Sequence, residues 1–149
     1  FKLGAAVEGV KKQGKTVSAT IKTKAGAEQW SGDMCLVAVG FSANVEGIGL
    51  EKVGIELNRG FIKVDEFMRT NVPHYSAIGD VAGPPMLAHK ASHEAIVAAE
   101  FLAGKAKHPM KYDNIPGCTY CQPQVASVGI TEKAAKEKGI KYRVGKIPF

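Results

Sequence analysis

The feature that most constrains the fold is a short strand pattern that ends in glycine and aspartate and is followed by a regular helix. Residues 75–80 combine an apolar run with a terminal Gly79-Asp80, which predicts a strand that stops at this pair. Beyond residue 85, small and apolar residues recur at spacings of three and four, which predicts a helix that ends at Gly104. These residues are Ala88, Ala91, Ala95, Ala98 and Leu102. The alternation of strand and helix predicts an α/β fold.

The first forty residues predict three strands. Val17, Ala19 and Ile21 alternate with polar residues, as in a half-buried strand. Residues 24–28 predict a turn. Residues 33–39 are almost continuously apolar, which predicts a buried parallel strand that ends at Gly40 and carries Cys35 into the core.

The later part of the chain predicts a change of domain at residues 113–117, which are rich in proline, glycine and asparagine. Beyond them we expect a strand and then a helix from about Glu132, with Thr131 as its cap and Gly139 as its stop. A further strand is predicted near residues 141–144, and an earlier one at residues 61–64.

Charge and composition exclude several function classes. The 149 residues carry a net charge of +6, but the basic residues are scattered and are not interleaved with aromatic residues. Nucleic acid is therefore not an expected partner. No apolar run reaches the roughly 18 residues of a membrane span, so no membrane association is expected. An odd count of 3 cysteines without a secretory signature favours a reducing compartment.

Three motifs leave alternatives open when only their residues are considered. Asp80 follows the end of a strand. Its carboxylate suits two roles equally: it could accept hydrogen bonds from ligand hydroxyls, or it could belong to a turn or a helix cap. Cys118 and Cys121 form a C-x-x-C, but the segment predicts a strand, which favours packing thiols over a redox or metal role. His89 and His93 share a helix face, yet no third ligand is evident, so no metal site is predicted.

Four collinear segments resemble the pyridine nucleotide-disulfide oxidoreductases, and they span essentially the whole chain. Residues 70–80 resemble the second FAD motif of that family, in the pattern Thr, six residues, Ala, any residue, Gly-Asp. Residues 86–91 are similar to the Leu-Ala-His-Lys helix start of its dihydrolipoamide dehydrogenase branch. Residues 33–40 resemble the strand that closes the NAD-binding domain. Residues 115–116 and 123–129 resemble the opening of the dimerisation domain.

The resemblance implies a division into three parts. Residues 1–40 would end a Rossmann-like NAD-binding domain, and residues 41–111 would form the C-terminal part of an FAD-binding domain. Residues 112–149 would begin an α+β dimerisation domain. The chain would thus be an internal piece of a longer, homodimeric enzyme.

The resemblance also implies the cofactor contacts. Asp80, next to Gly79, would bind the ribitol hydroxyls of FAD, and Gly40 would lie against NAD. Four backbone amides at the helix start would approach the pyrimidine edge of the flavin; they belong to Met86, Leu87, Ala88 and His89. Catalytic residues are expected to be absent, because neither the G-x-G-x-x-G fingerprints, nor the family's redox cysteine pair, nor its His-Glu pair occurs here.

The sequence departs from the family pattern in two places. Phe41 and Ala43 stand where the family usually has Arg and Pro after the NAD-domain strand, so the rigid, multi-donor cation of the family is missing from this junction between domains. Residues 121–124 read Cys-Gln-Pro-Gln where the family has Thr-x-Pro-Glu, so neutral residues replace two of the family's residues in the interface segment.

The expected parent enzyme oxidises dihydrolipoamide to lipoamide with NAD, through FAD and an enzyme disulfide, while the isolated chain is expected to be inactive. Its partners would be the lipoyl-bearing proteins of 2-oxoacid dehydrogenase complexes, in the cytoplasm or, in a eukaryote, the mitochondrial matrix. The alternatives are another FAD-dependent disulfide or mercuric reductase of the same superfamily, and a stand-alone, non-catalytic nucleotide-binding module.

Overall fold

The structure, a computed structural model, describes residues 1–106 and 108–148. The chain divides into two compact units, of which unit 1 is Phe1–Phe41 and unit 2 begins at Ser42. Strands dominate unit 1, whereas unit 2 mixes helices with short strands. The predicted α/β class is therefore confirmed.

Unit 1 is a three-stranded antiparallel sheet in the order β1-β2-β3. Its strands are β1 (Ala6–Gln13), β2 (Thr16–Thr23) and β3 (Gly26–Gly32). The central strand, β2, contains the predicted alternating run, and its Ala19 is buried between Val10 on β1 and Trp30 on β3 in the ladder. The predicted turn at residues 24–28 is shorter than expected, because Thr23 closes it by accepting a hydrogen bond from the Ala25 amide and β3 begins at Gly26.

The prediction of a buried strand at residues 33–39 is wrong. This segment has no strand structure, and its apolar side chains are largely exposed, with Leu36 at 88% and Val39 at 93%. Cys35, expected in the core, is also exposed. A parallel strand needs neighbouring strands that satisfy its backbone groups. Within the described chain, no strand pairs with these residues.

Unit 2 is built on a small apolar core formed by Val45, Ile55, Ile62 and Ala77. Around the core lie a short helix, α1 (Leu50–Val53), and a two-stranded pairing of β4 (Leu57–Asn58) with β5 (Phe61–Ile62). The strand predicted at residues 61–64 is therefore confirmed only in its first half. The strand predicted before Gly79 is reduced to a single bridge between Ser76 and Arg69, because the hydrogen bonds around it come from a loop rather than from a neighbouring strand.

Both predicted helices of unit 2 are confirmed. Helix α2 spans Ala88–Leu102, and its last turns are closed by hydrogen bonds to Ala103 and Gly104. Helix α3 spans Glu132–Glu137, and the Thr131 hydroxyl accepts a hydrogen bond from the Ala134 amide as the cap. Among the described residues, no helix is long and apolar enough to cross a membrane.

The two helices are separated by a hairpin of β6 (Gly117–Thr119) and β7 (Val125–Ser127), in agreement with the strand predicted after residue 117. The strand predicted near residues 141–144 is wrong, because these residues have no strand structure. Here too the described chain offers no partner strand alongside the segment.

A closed loop at Asp65–Arg69 joins the core of unit 2 to the end of α2. The Asp65 carboxylate accepts hydrogen bonds of 2.9 Å from the amides of Phe67 and Arg69, and a bond of 2.6 Å from the Arg69 side chain. This geometry holds Met68, which is completely buried, in the left-handed region at φ 65°. The Arg69 guanidinium lies 4.6 Å from the centre of the Phe101 ring on α2.

We predict that Asp65→Asn lowers the stability of unit 2 at neutral pH by about 1–2 kcal/mol, because two backbone amides lose a charged acceptor. Partial burial opposes ionisation of Asp65, but hydrogen bonds from Arg69 and Phe67 outweigh it and lower the pKa of this carboxyl. Since the folded pKa lies below the unfolded value of about 3.9, this stabilisation is present above about pH 4 and is lost as the pH falls through the folded pKa.

Urea unfolding followed by circular dichroism at 222 nm, repeated from pH 7 to pH 2, measures this effect. The difference between Asp65→Asn and the original chain should shrink at the acidic end. The control is Glu66→Gln, which changes the neighbouring, exposed carboxylate. A difference that stays constant down to pH 2 would contradict the role assigned to the Asp65 charge.

Candidate functional site

The predicted Gly79-Asp80 pair lies in a single 3₁₀ turn, Gly79–Ala82, between the core and helix α2. The turn packs against both β5 and α2. Gly79 is buried and adopts φ 76°, a conformation that residues with a side chain rarely adopt. A Cβ atom at Gly79 would also lie 3.5 Å from the Cβ of Ala91 on α2. The glycine is thus required by the backbone conformation at this turn.

Two charged side chains of α2 bond to the backbone of this turn. The Glu94 carboxylate accepts a hydrogen bond of 2.7 Å from the Gly79 amide. The Lys90 ammonium donates to the carbonyl of Gly79 at 3.0 Å and to that of Gly83 at 2.8 Å. Lys90 Nζ also lies 3.1 Å from Glu94 Oε1, and both side chains are completely buried. We call this pair, with its bonds to the turn, the Lys90–Glu94 clamp.

Tyr112 completes the surroundings of the clamp. Its hydroxyl donates a hydrogen bond of 2.8 Å to Glu94 Oε1. Burial of the phenol, followed by its hydrogen bond to Glu94 and the negative charge of Glu94, raises the pKa of Tyr112 above its usual range. The phenol therefore stays protonated and continues to donate at physiological pH.

Asp80 itself takes no part in the clamp. Its residue is exposed, and within the part of the chain that the structure describes no hydrogen bond or ion pair engages its carboxylate. Its backbone carbonyl accepts a hydrogen bond of 3.2 Å from the Gly83 amide. A carboxylate in this state is free to accept hydrogen bonds from a ligand.

The start of α2 presents amides close in sequence to Asp80. The helix begins at Ala88, no side chain caps it, and its first amides have no partner within the helix. The Leu87 amide differs from its neighbours because it already donates to the Pro85 carbonyl at 3.1 Å. The remaining amides of Met86, Ala88 and His89 suit an anion or an electron-rich carbonyl group, since a helix N-terminus carries positive partial charge.

The predicted cofactor residues are divided between the two units. Six of them lie on the 3₁₀ turn and at the start of α2 in unit 2; they are Gly79, Asp80, Met86, Leu87, Ala88 and His89. Gly40 belongs to unit 1, where it is exposed and adopts φ 125°. The residues predicted to contact FAD therefore belong to unit 2, and the one predicted to contact NAD belongs to unit 1.

Three histidines of unit 2 lie around one cleft. His89 Nε2 lies 2.8 Å from the Pro116 carbonyl. Together with His93 and His108, His89 lines a cleft of about 550 Å³ between α2 and residues 108–116. Across residues 1–106 and 108–148, no group of three or more His, Cys, Asp or Glu side chains could hold a metal ion.

Cys118 lies in β6, whereas Cys121 lies in the following turn, and both thiols are free and exposed.

The Lys90–Glu94 clamp and Tyr112 are the features of the candidate site that sequence reasoning missed. A lysine and a glutamate four residues apart on a helix normally form an exposed pair, as Lys133 and Glu137 do on α3. One signal was available. The apolar repeat at Ala91, Ala95 and Ala98 predicts the buried face of α2. Lys90 and Glu94 precede Ala98 at spacings of four, so they fall near that face.

Comparisons with known proteins match the chain along its length. The family model described as pyridine nucleotide-disulphide oxidoreductase matches residues 1–95. The model for the dimerisation domain of the same family matches residues 115–149.

Three curated relatives are named dihydrolipoyl dehydrogenases. The protein of Zymomonas mobilis is 60% identical over 115 residues, covering 76% of this chain and 25% of the relative. That of Rhizobium etli is 48% identical and covers 97% of this chain and 31% of the relative. The mitochondrial protein of Pisum sativum is 46% identical over the whole chain and 30% of the relative. This chain thus spans less than a third of each relative's length.

Solved structures of two proteins are similar to this chain in fold. LpdA from Mycobacterium tuberculosis is 28% identical, with a TM-score of 0.79 over 90% of this chain and 29% of that protein. The HOCl-induced flavoprotein disulfide reductase RclA from Escherichia coli is 25% identical, with a TM-score of 0.75 over 90% of this chain and 30% of that protein.

Proposed function

Since the chain belongs to the pyridine nucleotide-disulphide oxidoreductase family, we propose that it forms one segment of an FAD-dependent, NAD-linked dihydrolipoyl dehydrogenase. The observation that carries this proposal is the exposed Asp80 carboxylate, on a turn that is held by buried charges and followed by helix amides; within the described residues, neither the carboxylate nor the amides of Met86, Ala88 and His89 have a partner. The similarity to dihydrolipoyl dehydrogenases, at 46–60% identity for three relatives, supports this substrate class.

The described residues fit the ribityl chain and the pyrimidine edge of a flavin. Asp80 would accept hydrogen bonds from the ribitol hydroxyls, and the amides of Met86, Ala88 and His89 would face the pyrimidine edge. The Leu87 amide would contribute only if its bond to the Pro85 carbonyl opened. Bound FAD would supply the electron transfer between a dithiol and NAD. Gly40 would lie against the nicotinamide cofactor.

Each part of the chain would belong to one domain of the family. Residues 1–40 would belong to the NAD-binding domain, residues 41–111 to the FAD-binding domain and residues 112–149 to the dimerisation domain. The match of residues 115–149 to a dimerisation domain supports a homodimer. Lipoyl-bearing proteins of 2-oxoacid dehydrogenase complexes would be the partners. Its location would be the cytoplasm or, in a eukaryote, the mitochondrial matrix, and one relative is named as a mitochondrial protein.

We predict that the purified 149-residue chain has no dihydrolipoamide-dependent NAD reduction above that of free flavin and retains FAD below one equivalent. The chain offers Asp80 and helix amides but no glycine-rich loop for the pyrophosphate, which carries much of the binding of a dinucleotide. The test compares gel-filtered chain with the product of the whole open reading frame that encodes it, using flavin absorbance and NADH formation.

The expected contrast is a yellow, active full product and a nearly colourless, inactive chain. Stoichiometric FAD or dithiol-dependent NADH formation by the chain alone would contradict the segment proposal. A full product that binds no FAD would refute the flavoenzyme proposal altogether.

A second candidate is a disulfide reductase with another substrate, supported by the structural similarity to the flavoprotein disulfide reductase RclA. The same full product distinguishes the two, because a dihydrolipoyl dehydrogenase reduces NAD with dihydrolipoamide. A reductase of another disulfide, or of mercuric ion, would instead consume a reduced nicotinamide cofactor with its own substrate.

A further inference from the structure

We infer that Lys90, Glu94 and Tyr112 are positioning residues, which orient the Asp80 carboxylate for flavin binding by holding the backbone on both sides of it. This inference rests on the proposed function. It concerns three side chains, of which Lys90 and Glu94 bond to the turn that carries Asp80 and Tyr112 bonds to Glu94.

The burial of the Lys90–Glu94 pair calls for an explanation. Both side chains are 0% exposed, and moving two charges out of water is costly unless every polar atom finds a partner. The pair Lys133–Glu137 has the same spacing on α3 and keeps its side chains 87% and 65% exposed. Helix geometry alone therefore does not require burial of such a pair.

The polar atoms of the clamp are completely satisfied. The three donors of the Lys90 ammonium correspond to the carbonyls of Gly79 and Gly83 and to the Glu94 carboxylate. Glu94 accepts from the Gly79 amide, from Lys90 and from the Tyr112 hydroxyl. No buried side-chain nitrogen or oxygen in the described chain lacks a partner. A network satisfied to this degree rigidifies the backbone to which it is bonded.

The clamp bonds to the backbone before and after Asp80 in the sequence. The clamp holds the N–H and the C=O of the preceding residue, Gly79, and the C=O of Gly83, which lies three residues further on. The Gly83 amide in turn donates to the Asp80 carbonyl. The turn is thus held at both ends, while the side chain between them remains free.

The direction of the Asp80 side chain depends on this backbone. Gly79 has no side chain to restrict its rotation, and no bond to the Asp80 carboxylate within the described residues orients it. A change in the φ of Gly79 would therefore turn the carboxylate away from its direction. Displacements of about 1 Å are enough to weaken a preorganised site. The clamp would supply the restraint that glycine lacks.

The test uses the holoenzyme produced from the whole open reading frame. Glu94→Gln keeps the shape of the side chain but removes the charge, and Tyr112→Phe removes only one donor to Glu94. The matched control is Glu100→Gln, which makes the same chemical change at an exposed position of α2. The dissociation constant of FAD is measured by flavin fluorescence after reconstitution, at a temperature where each variant has the far-ultraviolet circular dichroism of the original protein.

We expect Glu94→Gln to weaken FAD binding by about tenfold or more, Tyr112→Phe by about threefold, and Glu100→Gln by less than about twofold, since tenfold corresponds to one misplaced hydrogen bond. The visible circular dichroism of the bound flavin should change in the first two variants. A purely structural role would lower the melting temperature but leave both readouts unchanged in the folded variants, and this result would overturn the inference.

Two further outcomes separate this inference from the proposed function. If Asp80→Ala keeps FAD as tightly as the original protein, the role proposed for Asp80 fails, and the inference fails with it, while the flavoenzyme proposal stands. If Asp80→Ala loses FAD while Glu94→Gln and Tyr112→Phe bind normally, only the positioning role is refuted. Should Glu94→Gln not fold, Tyr112→Phe decides, because its partly exposed ring keeps its packing.

Discussion

Replacing Lys90 with methionine is expected to destabilise unit 2 by about 3–5 kcal/mol, the cost of leaving a buried charge without its partner. Methionine has a similar length and keeps the apolar packing, but it cannot neutralise Glu94 or donate to the carbonyls of Gly79 and Gly83. Those carbonyls would become buried acceptors without donors, each of which carries a desolvation cost.

Urea unfolding of the chain, followed at 222 nm, measures this loss because α2 is the longest helix in the described residues. Lys133→Met is the control, since it removes the lysine of an i,i+4 pair whose ion separation is 4.0 Å and whose side chains are exposed. The control should change stability by less than about 0.5 kcal/mol. Equal effects of the two substitutions would contradict the buried clamp.

A double-mutant cycle sharpens the result. Lys90→Met combined with Glu94→Leu removes both charges, so no unpaired charge remains buried. The double substitution is therefore expected to cost less than the sum of the single ones, although the Gly79 amide and carbonyl still lose their partners. Simple additivity would show that the two side chains do not act as a pair.

Replacing Asp80 with alanine in the full flavoenzyme is expected to weaken FAD binding by roughly 10- to 150-fold, which corresponds to about 1.5–3 kcal/mol for one hydrogen bond to a charged group. The effect should fall on binding rather than on stability, because Asp80 is exposed and the described chain gives its carboxylate no partner. The measurement is the FAD dissociation constant, accompanied by thermal unfolding of the apoprotein.

Asp113→Ala provides the matched control. Asp113 is exposed and occupies the second position of the 3₁₀ turn Tyr112–Asn114, just as Asp80 occupies the second position of Gly79–Ala82. Asp113→Ala should leave FAD binding unchanged within about twofold, since it lies outside the proposed site. A loss of FAD in both variants would indicate a general effect of removing negative charge.

The sequence alone was sufficient for elements that depend on local interactions. Helix α2 follows from its three-and-four spacing, and α3 from its Thr131 cap, because both helices complete their hydrogen bonds within a short segment. The alternating run that predicted β2 is local in the same sense. The turn with Gly79 and Asp80 was also predictable, since its glycine answers a local backbone requirement.

Predictions failed where a segment depends on partners distant in sequence. Residues 33–39 are apolar enough for a buried strand, yet a strand also needs a neighbour for its amides and carbonyls, and hydrophobicity does not supply one. Met68 is similar: a left-handed methionine, completely buried, follows from the closed Asp65–Arg69 loop and not from its own preference.

The clearest division is between the two lysine–glutamate pairs. In sequence, Lys90 with Glu94 and Lys133 with Glu137 are equivalent, and local rules give both the same small value of a few tenths of a kcal/mol. Only the tertiary structure covers the first pair with the 3₁₀ turn and Tyr112 while it leaves the second in water. The sequence alone thus determined which residues are candidates for flavin binding, whereas tertiary burial decided which charged side chains hold the turn that carries Asp80, because the strength of an ion pair depends on its surroundings.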